Sequence, residues 1–222
     1  MAGETVQLTA TDGHELSAYV ARPDGDAKAG LLVLQEIFGV NEHIRSVADG
    51  FAAEGFLAIA PAMFDRVEPG IELSYDEFEK ARETMGKLER DGCVADMAAA
   101  ADYARAANLK VGIVGYCWGG SMADLAACHG IVNAAVSYYG RMTVEWLDLT
   151  PQCPVIYHYG ETDPLIPLQV VEDIRAKRKG HEVHVWGGAG HGFNCDARPE
   201  FHKTSAKAAR ALTLEHFATH LG

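Results

Sequence analysis

The sequence predicts an α/β protein in which a mainly parallel central sheet carries helices on both faces. Three observations predict it. Short apolar runs such as Leu31 to Gln35 and Val111 to Val114 are typical of strands buried on both faces. Helix-like stretches separate most of these runs, and that alternation is the pattern of a covered parallel sheet. The chain also opens with two short strand-like segments around Thr11-Asp12-Gly13, an antiparallel start.

The elements follow in order. Thr5 to Ala10 and His14 to Ala21 form the opening pair, and Leu31 to Gln35 the first buried strand. Asn41 is placed to cap a helix running to about Ala53 and closed by Gly55. Phe56 to Ala60 is a strand stopped by Pro61, and Asp76 to Leu88 a polar surface helix. A longer, alanine-rich helix is expected from about Cys93 to Ala107. The strand Val111 to Val114 runs into Gly115-Tyr116-Cys117-Trp118-Gly119-Gly120 and a helix ending near Cys128. Val132 to Tyr138, Val155 to Tyr159 and Glu182 to Trp186 are further strands, with helices expected at Leu168 to Lys179 and Pro199 to Leu221.

At 222 residues the chain is read as a single domain, 1–222, with a substantial core. The balance of 19 basic against 31 acidic residues gives −12, which repels phosphate backbones and anionic lipid. Nucleic-acid and membrane partners are therefore not expected. The five cysteines are odd in number and contain no C-x-x-C pair, so neither a disulfide framework nor a zinc ribbon is indicated. The N-terminus lacks a basic stretch followed by an apolar core, and no run approaches the roughly 20 apolar residues of a membrane helix. A cytoplasmic setting is the expectation.

Ligands of such sheets sit beyond the carboxyl ends of the strands. The segment Gly115-Tyr116-Cys117-Trp118-Gly119 lies there and has the form G-x-C-x-G. A nucleophile on so tight a strand-to-helix turn needs small neighbours, so that strand and helix can pass closely. The positive N-terminus of the following helix favours a thiolate and a developing oxyanion. Cys117 is thus the nucleophile candidate, whereas Cys93, Cys128, Cys153 and Cys195 read as structural.

A thiol needs a base or a cation to react at neutral pH. Asp163, after the strand ending at Tyr159, and His191, after the strand ending at Trp186, complete the order nucleophile, acid, histidine. Asp163 would orient the imidazole and stabilise its charged form. His158 and His184 fall inside strands and read as structural. The loop Gln35-Glu36-Ile37-Phe38-Gly39 would supply one oxyanion donor, the Ile37 N–H, and Trp118 the other. Glu36 reads either as a carboxylate acting on the thiol or as a solvated loop residue.

These segments, together with Gly160-Glu161-Thr162-Asp163-Pro164 and Ala189-Gly190-His191-Gly192-Phe193, resemble the dienelactone hydrolase (carboxymethylenebutenolidase) family in order and over most of the chain. The resemblance implies an α/β-hydrolase fold and a hydrolase for a dienelactone or similar small ester or lactone, working through a cysteine acyl-enzyme. It implies that a resting thiol is paired with Glu36, which substrate displaces so that it helps deprotonate Cys117. His191 is then the base, Asp163 its orienter, and Ile37 with Trp118 the oxyanion donors. Known members hold a substrate carboxylate with arginines, one of them shortly after the segment matching His191 to Phe193. Here Asn194 and Cys195 follow Phe193 and the next arginine is Arg198. Arg82, Phe38 and Tyr116 are the remaining substrate-contact candidates.

Other readings are a carboxylesterase for other activated esters, a thiol-based redox sensor, and a binding protein on a hydrolase scaffold. No phosphate loop, dinucleotide fingerprint or H-E-x-x-H spacing is visible, so no metal or cofactor is expected. The expected partner is a small-molecule ester or lactone, and the expected state a monomer.

Overall fold

A computed structural model describes residues 3–222, which divide into one compact unit running to Ile113 and a second over Val114–Gly222. In the first unit β1 (Glu4–Thr9) and β2 (Glu15–Ala21) form the expected antiparallel hairpin, and Gly13 takes φ +85° in its turn. Leu16, Ala18 and Val20 point inward from β2 while the residues between them stay partly exposed, the period-two pattern of a half-buried strand. β3 (Ala29–Leu34) and β4 (Phe56–Pro61) run parallel, and β2 pairs antiparallel with β4 in a register that places Ala18 opposite Pro61. Pro61 is therefore the last strand residue rather than a stop before it. It has no N–H to donate, which a strand tolerates at its end, and the following Ala62 N–H still reaches Ser17 O at 2.8 Å.

Every residue of β3 and β4 is buried, because helices cover them. α1 (Glu42–Ala53) begins where expected: the Asn41 side chain accepts from the Ile44 N–H at 3.1 Å, and Gly55, at φ +91°, follows its end. α2 (Phe78–Gly86) is a shorter surface helix than expected and buries only Ala81 and Thr84. α3 (Arg90–Arg105) lies so close to β3 that a Cβ on Gly30 would stand 2.4 Å from the Ala104 Cβ. The short 3-10 turn Met63–Arg66 carries no clear sequence signal. It is held by tertiary bonds, with Asp65 accepting from the N–H groups of Ser17 and Gly70, and Arg66 bidentate to buried Asp96 at 2.7 Å.

β5 (Val111–Tyr116) ends in the second unit and leads into α4 (Trp118–Cys128), whose every residue is buried. Then come β6 (Ala134–Tyr138), a 3-10 turn Arg141–Trp146, β7 (Val155–Gly160), α5 (Leu168–Lys177), β8 (Glu182–Trp186) and α6 (Lys203–Leu221). β6, β7 and β8 are parallel neighbours in that order. α5 ends before Lys179 because Arg178 leaves the helix, at φ −91° and ψ 48°, to bond Asp124 of α4. α6 starts at Lys203 rather than Pro199, since residues 195–202 are folded into turns that return the His202 N–H to the Phe193 carbonyl at 2.9 Å. Among the described residues, no helix is long and apolar enough to cross a membrane.

Candidate active site

The turn between β5 and α4 holds Cys117 at φ 56° and ψ −118°, a conformation that L-residues rarely adopt. Such strain costs about 1–3 kcal/mol and persists only where the surroundings impose it. The glycines explain how they do. A Cβ on Gly115 would lie 1.9 Å from the Gly119 carbonyl oxygen, and one on Gly120 would lie 2.3 Å from the Tyr138 carbonyl oxygen. Strand, turn and helix are in direct backbone contact, and the Cys117 N–H donates to Tyr138 O at 3.0 Å.

Two loops bring the other partners. The loop after β7 and the loop after β8 are stitched together. Both the N–H and the hydroxyl of Thr162 donate to the Ala189 carbonyl at 2.9 Å, Glu161 N–H donates to Trp186 O at 3.0 Å, and the Glu161 carboxylate accepts from Gly188 N–H at 2.9 Å. Gly160 is required here, because a Cβ would meet Ala189 O at 2.4 Å. The result is a continuous relay. Asp163 Oδ2 lies 2.8 Å from His191 Nδ1, and His191 Nε2 lies 3.2 Å from Cys117 Sγ. The other carboxylate oxygen of Asp163 accepts from the N–H groups of Leu165 (2.8 Å) and Ile166 (3.2 Å), which fixes the carboxylate plane. An ionised Asp163 can only accept, so Nδ1 carries the proton and Nε2 faces the sulfur.

His191 and Asp163 are buried and Cys117 is half-buried. Burial alone would pull the His191 pKa down, but the hydrogen bonds to Asp163 and Cys117 and their charges outweigh it and push the imidazole up to about 10. The imidazolium is thus the form this site stabilises, the state a general base reaches after taking a thiol proton.

Burial pushes Cys93, Cys128 and Cys153 up to about 12, and Cys195 is fully buried. His158 is fully enclosed within the second unit, where burial drives its pKa well down. It lies 3.3 Å from the Thr213 hydroxyl and 3.4 Å from the Trp186 indole nitrogen. His184 bonds Glu182 at 3.0 Å.

In the first unit, Glu36, Ile37 and Phe38 follow β3 directly. Glu36 is 1 % exposed, which removes the reading of a solvated loop glutamate. The loop is held from outside: Leu73 N–H donates to Phe38 O at 2.9 Å, the Phe38 ring meets Tyr75 edge-on at 4.8 Å, and Gly39, at φ +83°, leaves no room for a Cβ against Ile71 O. Arg82 stands on the outer face of α2, its side chain 60 % exposed and 3.8 Å from Glu79. Tyr116 is buried with its ring 5.0 Å from that of Tyr138. Arg198 lies against the backbone next to His191: a Cβ on Gly192 would be 3.2 Å from its guanidinium, which also pairs with Glu200 at 3.4 Å.

Two features escaped sequence reasoning. Asp124 and Arg178 form a fully buried ion pair in the second unit, joined by the Trp146 indole N–H and the Tyr157 hydroxyl. An aspartate inside an otherwise apolar helix was the available signal. Tyr139 has φ 40° and no exposure, and its ring is 5.1 Å from that of His191. Among the described residues no group of three or more His, Cys, Asp or Glu side chains is gathered as a metal cage.

A strand–elbow–helix with a cysteine, a histidine and an aspartate after successive parallel strands defines an α/β-hydrolase. Comparison with known proteins narrows the class. The profile of the dienelactone hydrolase family matches residues 16–221, and the chain belongs to that family. It is 32 % identical to the carboxymethylenebutenolidase of Pseudomonas putida over 98 % of this chain and 97 % of that one, and 29 % identical to carboxymethylenebutenolidase 1 of Cupriavidus pinatubonensis over 98 % and 97 %. The crystal structure of a candidate dienelactone hydrolase from Klebsiella pneumoniae superposes with a TM-score of 0.85 at 31 % identity, covering 98 % of this chain and 100 % of that chain. The protein is an ester hydrolase of α/β-hydrolase fold.

Proposed function

We propose that the protein hydrolyses a dienelactone or a similar small ester or lactone through an acyl-enzyme on Cys117. The observation that carries this reading is the unbroken relay from Asp163 through His191 to the Cys117 sulfur, with contacts of 2.8 Å and 3.2 Å. The Cys117 thiolate attacks the ester carbonyl while His191 holds the proton at Nε2. The tetrahedral oxyanion is met by the N–H groups of Trp118, at the first position of α4, and of Ile37. Each such donor contributes about 3–4 kcal/mol. His191 passes its proton to the leaving alkoxide, then takes one from the water that cleaves the thioester. Glu36, a buried carboxylate, is the group that assists deprotonation of the thiol.

Residues 1–222 act as one catalytic domain in the cytoplasm, as a monomer and without a cofactor. Tyr116 and Phe38 are the substrate contacts of this reading, and both are buried. A carboxylesterase for esters that lack a free carboxylate is favoured by one observation: Arg82 and Arg198 are both already paired with glutamates.

The test is dienelactone hydrolysis followed by ultraviolet absorbance, with Cys117→Ala beside the wild type. Turnover that disappears in the variant supports the reading. Wild-type turnover retained by the variant overturns it. If only neutral aryl esters are cleaved, the carboxylesterase reading stands in its place.

A further inference from the structure

We infer that Tyr139 is a positioning residue for the base, its buried ring forming the wall that holds the His191 imidazole in line between Cys117 and Asp163. This rests on the catalytic reading above. His191 bonds Asp163 through Nδ1 and Cys117 through Nε2, whose N–H and lone pair point outward in the plane of the imidazole. These bonds fix where its two ends point, but they resist rotation about the line joining those ends only weakly. A side chain packed against the ring supplies that restraint. The Tyr139 ring does so at 5.1 Å and 58°, and it also meets Phe193, two residues beyond His191, edge-on at 5.5 Å. The loop that carries the base therefore touches the wall at two places.

The wall itself cannot move freely. Tyr139 sits at φ 40°, a region where a bulky residue is strained and which therefore calls for a structural or functional cause. Its N–H donates to the His158 carbonyl at 2.8 Å, and the residue before it, Tyr138, accepts the Cys117 N–H at 3.0 Å. The next residue, Gly140, is pressed so closely to its neighbours that a Cβ would stand 2.6 Å from Ser137 Oγ and 2.7 Å from Ser121 N. One rigid segment thus holds the nucleophile's backbone and presents the ring to the base. An aromatic ring beside an imidazole also favours its cationic form through the ring quadrupole. That is the form His191 takes when it receives the thiol proton. An ordinary core tyrosine would need neither the left-handed backbone nor this contact.

The experiment uses the full chain with Tyr139→Phe and Tyr139→Leu, and Cys117→Ala as control. Steady-state hydrolysis of an activated aryl ester gives kcat and KM. The pH dependence of Cys117 alkylation by iodoacetamide and the low-field proton resonance of the His191 Nδ1–H report on the base itself. Tyr139→Phe keeps the ring and is expected within about threefold of wild type by every measure. Tyr139→Leu is expected to lose about 10- to 100-fold in kcat, the scale of a small misplacement of a catalytic group. Its KM should change little, its alkylation profile should shift and its low-field resonance should broaden or vanish. If Tyr139→Leu does not fold, Tyr139→Met takes its place under the same expectations. A folded Leu or Met variant with wild-type kcat, alkylation profile and resonance overturns the inference. So does a Phe variant as impaired as the Leu variant, since the hydroxyl would then be responsible. Full turnover by Cys117→Ala would instead bring down the catalytic reading, and the positioning role with it.

Discussion

The two ends of α4 carry the same functional group with opposite properties. At the N-terminal end Cys117 is half-buried, strained and 3.2 Å from an imidazole. At the C-terminal end Cys128 is buried near Asp124, and burial pushes its thiol up to about 12. A helix N-terminus favours an anion and a C-terminus does not, but the larger difference comes from the neighbours. Cys117 faces the His191 imidazole, which the Asp163 carboxylate holds in place. Cys128 faces a carboxylate already bound to Arg178, at 2.8 Å. The chemistry of a cysteine here is set by what the rest of the fold brings to it.

The largest expected effect tests that contrast directly. Cys117→Ala should lower kcat/KM by on the order of 10⁴-fold or more, while Cys128→Ala should leave it within about twofold, both read by ester hydrolysis. Comparable losses would show that the two thiols are not distinguished by their surroundings. Next comes the orienting carboxylate. Asp163→Asn should lower kcat by on the order of 10³- to 10⁴-fold, because the amide no longer selects the tautomer with its proton on Nδ1. Single-turnover kinetics would measure it, and a loss below tenfold would detach Asp163 from the relay.

The Cys128 end of the helix should respond in stability. Arg178→Leu strands the Asp124 charge in the core, and truncating one partner of a buried pair costs about 3–5 kcal/mol. Arg66→Leu should cost less, since the Arg66 side chain remains 17 % exposed. Urea unfolding of both variants ranks them, and the reverse order would contradict the assignment of the deeper pair to α4.

A pH dependence completes the comparison, with the histidines pulling in opposite directions. Burial lowers His158 well below its ordinary value and lowers His216 to about 4, so both are neutral when folded. Stability is intact above the unfolded value of about 6.5 and falls below it, by up to about 1.4 kcal/mol per pH unit per group. His191 works the other way. Its pKa is raised to about 10, so its contribution is complete below about 6.5 and disappears as pH rises through 10. Denaturation midpoints from pH 4 to 11 should decline on both limbs. His216→Asn should flatten only the acid limb and His191→Asn only the alkaline one.

Much of the site was legible because its residues obey a local rule. Cys117, Asp163 and His191 each follow a strand; close backbone approach forces Gly115 and Gly120 beside Cys117 and Gly160 before Asp163, while Gly188 and Gly192 beside His191 take positive φ. Other features leave no local trace. Arg178 reads as the next turn of α5 until Asp124, 54 residues away, draws it out of the helix. Nothing around Tyr139 announces a left-handed backbone, because the strain is imposed by Gly120, Ser121 and His158. Glu36 had two readings, and only its burial decided between them.

By itself, then, the sequence determined the α/β class, the strand-to-helix elbow and the placing of Cys117, Asp163 and His191 just after three strands. These follow from hydrophobic periodicity and from glycines, which act over a few residues. The raised pKa of His191, the raised pKa of Cys128, the burial of Glu36 and the left-handed backbone of Tyr139 were decided only by the tertiary structure. Charge, solvation and ring packing depend on distance in space, and His191 and Cys117, which meet at 3.2 Å, are 74 residues apart along the chain.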